Sequence, residues 1–125
     1  MRHPTLRLLL TLGLGWTAFL GLGLGLRQGL AGPTVTVIID RSYCAPAQWQ
    51  PIAANYAALH EQHRQGRLRI GQVIYVSDLG TVVAETVPTS EEVSRLTTFG
   101  RFNPTQMEQV LQAQPGAEVF SCHLN

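Results

Sequence analysis

Three reactive side-chain types alternate along Asp40-Arg41-Ser42-Tyr43-Cys44: an acid, a hydroxyl and a thiol. Carboxylate and hydroxyl oxygens at that spacing on a loop can converge on a divalent cation such as Mg²⁺, with water completing the shell. Asp40 and Ser42 are therefore the candidate metal ligands; their alternative is to cap the following helix and satisfy the amides of the loop. Cys44 precedes a helical stretch, and the free N–H groups of a helix start favour the thiolate, which makes Cys44 a redox candidate. The second cysteine is Cys122, near the end of the chain. A second cluster, His60-Glu61-Gln62-His63, sets two histidines at helical i, i+3 spacing. Such a pair can share a metal, but no third ligand accompanies it. Its alternative is a solvated helix face, with His63 favoured near the negative end of the helix dipole.

The elements that must position these groups follow from periodicity. Thr34–Ile39 is a strand with Val35, Val37 and Ile39 on one face and Ile38 on the other. Apolar residues on both faces place it centrally, as in a parallel sheet. Trp49, Ile52, Ala53, Tyr56, Leu59 and His63 recur at three- and four-residue steps, the buried face of a helix ending near Gln65. Pro51 is expected in the first turn or so of that helix, where a missing N–H costs little. Gly66 is placed to end it. Leu68–Ser77 reads as a second strand, and Thr81–Val87 as its less buried hairpin partner across Asp78-Leu79-Gly80. Thr89-Ser90-Glu91-Glu92 is a capping box for a short helix through about Leu96. Asn103-Pro104 opens the last helix, Pro115-Gly116 stops it, and Ala117–Cys122 is the final strand.

A helix between strands argues for helices on the faces of the sheet. The expected fold is thus α/β, a small two- or three-layer sandwich on a mixed, mainly parallel sheet, preceded by an N-terminal hydrophobic helix. If the first and last strands are parallel neighbours, Cys44 and Cys122 share one rim and can form a disulfide.

Residues 1–31 are a separate object. Met1–Arg7 is a basic head, and Leu8–Leu26 is an uncharged run of 19 residues rich in Leu and Gly. That length just reaches the roughly 20 residues a spanning helix needs. Gly29-x-Ala31 is also an acceptable small-x-small cleavage site. Anchor and signal peptide are the two readings, the anchor being favoured. Two arginines precede the run and one follows closely, so the positive-inside rule puts the N-terminus in the cytoplasm. Residues 32–125 are then an extracytoplasmic domain, secreted if the segment is cleaved, in a compartment that permits disulfides.

The chain has nine Arg, no Lys and eight acids, and beyond residue 31 the net charge is −2. No basic stripe with interleaved aromatics is present there, which argues against a nucleic-acid partner.

Two family resemblances attach to these residues. The strand ending in Asp40-x-Ser42-x-Cys44, the helix after it, and the hairpin over Arg69–Asp78 and Thr81–Ala84 resemble the first half of a von Willebrand factor A-like domain. That resemblance implies a metal-dependent adhesion or docking site with Asp40 and Ser42 as ligands and Thr105 in the place of the family's distant threonine. The motif's third position is Cys44 where the family has Ser, and the last strand ends in Ser121-Cys122-His123 rather than Thr-Asp-Gly. Tyr43-Cys44-Ala45-Pro46-Ala47 resembles the active-site turn of thioredoxin-like domains, with Thr86-Val87-Pro88-Thr89 in the place of their cis-proline loop. Ala47 replaces the second cysteine, so dithiol exchange at this turn is excluded.

No Gly-rich phosphate loop or serine nucleophile elbow occurs in the domain. With no complete catalytic constellation, the expected role is non-enzymatic: a membrane-anchored accessory protein docking a membrane protein or complex. The alternatives are a thiol-based redox or assembly factor using Cys44, and a secreted cation-dependent binding module.

Overall fold

A computed structural model describes residues 4–29 and 32–124. The chain divides into two compact units, Met1–Ala31 and Gly32–Asn125. Most of the Gly29-x-Ala31 motif and the first three residues of the basic head lie outside the described residues.

The first unit is one helix, α1 (Pro4–Gly29). Its stretch Pro4–Leu26 is long and apolar enough to cross a membrane or to serve as a signal sequence, and none of it is buried. Trp16 and Phe19 are 67% and 80% exposed. The Thr11 and Thr17 hydroxyls donate to carbonyls three and four residues back, so both are satisfied within the helix. A hydrocarbon environment demands such internal pairing.

The second unit is the expected α/β fold. Its elements are β1 (Thr34–Asp40), α2 (Pro46–Arg64), β2 (Arg69–Ser77), β3 (Gly80–Val83), α3 (Ser90–Ser94), α4 (Pro104–Ala113) and β4 (Glu118–Phe120). The sheet order is β3-β2-β1-β4. β1 is parallel to both β2 and β4, and β3 is antiparallel to β2. Val37, Ile39, Val73 and Phe120 point to one face, where Trp49, Ala53 and Tyr56 of α2 and Val93 of α3 cover them. Ile38, Ile74 and Val76 point to the other, beneath Met107 of α4. The sandwich therefore has three layers.

Local signals act where the sequence puts them. Thr89 and Glu92 form a reciprocal capping box, with hydrogen bonds of 2.7 and 3.2 Å. The Asn103 side chain accepts from the Gln106 N–H at 3.2 Å. Gly66 follows α2 with φ +72°, a conformation that only glycine adopts freely.

Several bounds differ from the sequence reading: β4 is three residues, Glu118–Phe120, rather than Ala117–Cys122, and α3 ends at Ser94 rather than near Leu96. α2 begins at Pro46, so Pro51 lies inside the helix rather than in its first turn. The bond it removes would have ended on the carbonyl of Ala47, an exposed residue that water can reach. β3 stops at Val83 rather than continuing to Val87. Its last ladder contact is the Ala84 N–H to the Val73 carbonyl, at 2.8 Å. Val87 then turns in to pack on the α2 face, and the Pro88 carbonyl accepts the Tyr56 hydroxyl at 2.6 Å.

That bond sets an expected result. Tyr56 is fully buried, so Tyr56→Phe leaves the Pro88 carbonyl without its partner and costs about 1–2 kcal/mol in chemical denaturation. Burial also pushes the Tyr56 phenol far above its usual range, with Tyr75 and Glu92 adding to the effect. Because the folded state holds this proton more tightly, the stabilisation is complete below about pH 10 and falls as the pH rises above it. A stability profile at alkaline pH should show that fall, and Tyr56→Phe should reduce it.

Candidate functional site

The three parallel strands end on one rim, and every chemistry-bearing residue of the β1 loop lies there. Parallel α/β sheets place their sites at this edge. The loop after β1 is tied down from two sides. The Arg41 N–H donates to the Val76 carbonyl at 2.8 Å, extending the β1–β2 ladder. Across the rim, the loop between α3 and α4 zips against it. The Phe99 N–H donates to Arg41 at 2.8 Å and the Tyr43 N–H to Gly100 at 3.1 Å. The Thr98 hydroxyl accepts from the Cys44 N–H and donates to the Cys44 carbonyl, at 3.1 and 3.2 Å.

Asp40 sits under this lattice, only 2% exposed. One carboxylate oxygen accepts the Ser42 N–H at 2.9 Å. The other accepts the Ser121 hydroxyl at 2.7 Å, from a residue 81 positions away. The Ser121 oxygen in turn accepts the His123 N–H at 3.0 Å. A buried carboxylate is tolerable only when its lone pairs are met, and each oxygen of Asp40 has a partner. Asp40 therefore clasps the end of β1 to the end of β4. Ser42, 3% exposed, reaches it through the backbone. Neither residue caps α2, whose N-cap is Ala45, with no side-chain hydrogen bond. Thr105, in the first turn of α4, is exposed.

Cys44 and Cys122 lie on the same rim. Their sulfurs are at bonding distance, paired as a disulfide, with Cα atoms 6.3 Å apart. The cause is the topology: β4 runs parallel to β1 and next to it, with Ile39 opposite Phe120. Cys44 is 4% exposed and packs into the α2-side core. Its sulfur is thus neither accessible nor unpaired.

The outer surface of the rim is aromatic and basic. Tyr43 is 62% exposed. The His123 ring stacks on Phe102 with centroids 4.9 Å apart and sets Nε2 3.0 Å from the Tyr43 carbonyl. A carbonyl only accepts, so Nε2 carries the proton in that contact. The Arg41 guanidinium donates twice to the Thr97 carbonyl, at 3.1 and 3.3 Å, and lies 5.1 Å from the Phe99 ring centre. It also stands 5.8 Å from the Tyr75 ring. The Tyr75 phenol is pushed up by burial, against the lowering effect of Arg41 and with a smaller push from Glu92.

Gly100 closes the rim loop with φ +76°, and any Cβ there would strike the Asp78 carboxylate. Gly100→Ala should destabilise the domain by about 1–2 kcal/mol through backbone strain. A thermal melt of the variant checks this.

The histidine pair on α2 has structural neighbours. The Ile70 N–H donates to His63 Nδ1 at 3.1 Å, and the His60 ring lies beside Tyr56. Among the described residues, no group of three or more His, Cys, Asp or Glu side chains is arranged to hold a metal.

Sequence reasoning assigned no role in this rim to Ser121, Thr98 or Arg41. The available signal for Ser121 was its place beside Cys122 on the last strand, which becomes informative only once β4 is known to flank β1. Beyond the rim, an open groove of about 780 Å³ follows the outer edge of β4, with Gln48, Ile52 and Asn55 of α2 on one side and Glu118 and Phe120 on the other. A comparison with known protein families, curated proteins and solved structures finds no match to this chain.

Proposed function

We propose that this chain is a membrane-anchored accessory protein whose small α/β domain docks a membrane protein or complex on the extracytoplasmic side, without catalysing a reaction. The observation that carries the reading is α1: an apolar helix with no buried residue over Pro4–Leu26, followed by a compact domain with a disulfide pair. An apolar stretch that enters no core finds its favourable environment in hydrocarbon. The disulfide fits an oxidising compartment, which is where the positive-inside rule puts the domain.

The rim supports the non-enzymatic half of the reading. Asp40 and Cys44, the residues with the most reactive chemistry, are buried and engaged with Ser121 and Cys122. For the same reason, added Mg²⁺ is expected to leave the melting temperature of the native protein unchanged. A cation-dependent rise would instead favour a cation site at Asp40 and Ser42.

The groove beside β4 supports docking. β4 pairs with β1 on one side only, so its other edge offers backbone donors and acceptors to an extended partner segment. A photo-crosslinker at Asn55, in the groove, should give one discrete heavier species in native membranes. At Gln112, exposed on α4, it should give none. No adduct at Asn55, or equal adducts at both positions, would count against docking at this edge.

A further inference from the structure

The six arginines of the domain are not spread evenly. Three fall within Arg64-Gln65-Gly66-Arg67-Leu68-Arg69, the turn joining α2 to β2, and all three are exposed. Arg64 has one acidic neighbour, Glu61, at 3.7 Å and at the exposed surface. Among the described residues, Arg67 and Arg69 take part in no ion pair.

This turn is also where the chain enters the domain. Gly32 lies against the Arg67 carbonyl so closely that a Cβ there would overlap it, and it would come within 2.7 Å of the Leu68 nitrogen. The Arg69 N–H donates to the Pro33 carbonyl at 2.9 Å. The entry point and the basic turn are thus one packed unit, at the end of the sheet opposite the Asp40 rim. Only residues 27–31 separate Gly32 from Leu26, the last residue of the apolar stretch. Even fully extended, that connection spans only about 20 Å.

We propose that Arg64, Arg67 and Arg69 form a docking surface for anionic phospholipid headgroups, seating the domain on the bilayer that holds its anchor. The inference rests on the anchored reading, because the short tether is what keeps the turn within reach of the headgroups. Arginine suits the task, since its guanidinium fork pairs with phosphate oxygens in bidentate fashion. The attraction is electrostatic, so it weakens with salt and with the loss of anionic lipid. Seating this end on the membrane would turn the opposite rim away from it.

The test uses the full chain reconstituted in nanodiscs of phosphatidylcholine, and of phosphatidylcholine mixed equally with phosphatidylglycerol. Both carry a headgroup spin label. The amide resonances of residues 64–69 should broaden several-fold more in the anionic discs. High salt should erase the difference, as should the triple variant Arg64→Gln, Arg67→Gln, Arg69→Gln. Resonances of core residues such as Val37 and Ile74 report that the variant is folded. Equal broadening in the two lipids, or a difference that survives the triple substitution, would overturn the proposal. Loss of anchoring is read separately. A chain that leaves neutral discs but stays on anionic ones through this turn removes the anchor and keeps the patch; a chain that leaves both removes both.

Discussion

Removing the Cys44–Cys122 bond should lower the stability of the domain by about 4 kcal/mol, because it frees a closed loop whose ends are 78 residues apart in sequence. The loop takes in nearly the whole domain, from the end of β1 to the end of β4. In the chain-entropy account, the gain comes from restricting the unfolded state, and it grows with loop length. For a unit of this size the loss corresponds to roughly 20 °C in melting temperature. The double variant Cys44→Ala, Cys122→Ala, melted beside the oxidised protein, measures it. The oxidised protein should melt as one transition, and the variant should keep the sheet signal at low temperature. A variant that melts with the oxidised protein would mean that the bond contributes nothing.

Asp40→Ala is the second large effect. It strips partners from the Ser42 N–H and the Ser121 hydroxyl, both buried. Hydrogen bonds to a charged group contribute about 1.5–3 kcal/mol each, and the relief of burying a charge offsets part of their loss, leaving about 3 kcal/mol. Asp40→Asn keeps the shape and one good acceptor for the Ser42 amide, so it should cost clearly less. Urea denaturation of the two variants checks the order. The disulfide and the Asp40 clasp both join the β1 end to the β4 end. Their effects should therefore be non-additive, which a double-mutant cycle reads directly. If Asp40→Ala is neutral, the carboxylate is not the clasp described here.

How far the sequence disclosed this arrangement depended on whether a signal was local. Val35, Val37 and Ile39 alternating with Ile38 read as a two-sided strand, and β1 is buried on both faces. Gly66, the Thr89 capping box and Asn103-Pro104 are chemistry of neighbouring residues, and each appears where it was read. The disulfide was also legible, because two cysteines at the carboxyl ends of two strands need only those strands to be parallel neighbours.

The Asp40 loop was harder. Its acid and hydroxyl read either as a cation site or as partners for the loop's own amides, and Asp40 does accept the Ser42 N–H. The partners supplied here come from Ser121, 81 positions away, and from the loop's own amide. No local pattern announces a contact of that range. Thr98 and Gly100 were hidden for the same reason: they meet Tyr43 and Cys44 only after the α3–α4 loop folds over the rim. The expected strand runs past Val83 because β-branched Thr81, Val82, Val83, Thr86 and Val87 flank Ala84-Glu85. Burial under α2 drew Val87 and Pro88 away from the sheet edge, and tertiary packing outweighed propensity.

The central claim is that an apolar anchor is retained and holds an oxidised α/β domain outside the cytoplasm. The most direct test is the intact mass of the protein taken from its native membrane, with thiols alkylated before and after reduction. A retained anchor and an intact disulfide require a full-length mass, no alkylation before reduction, and two alkylated thiols after it. A mass beginning near Gly32, with two thiols alkylated before reduction, would contradict both the anchor and the disulfide.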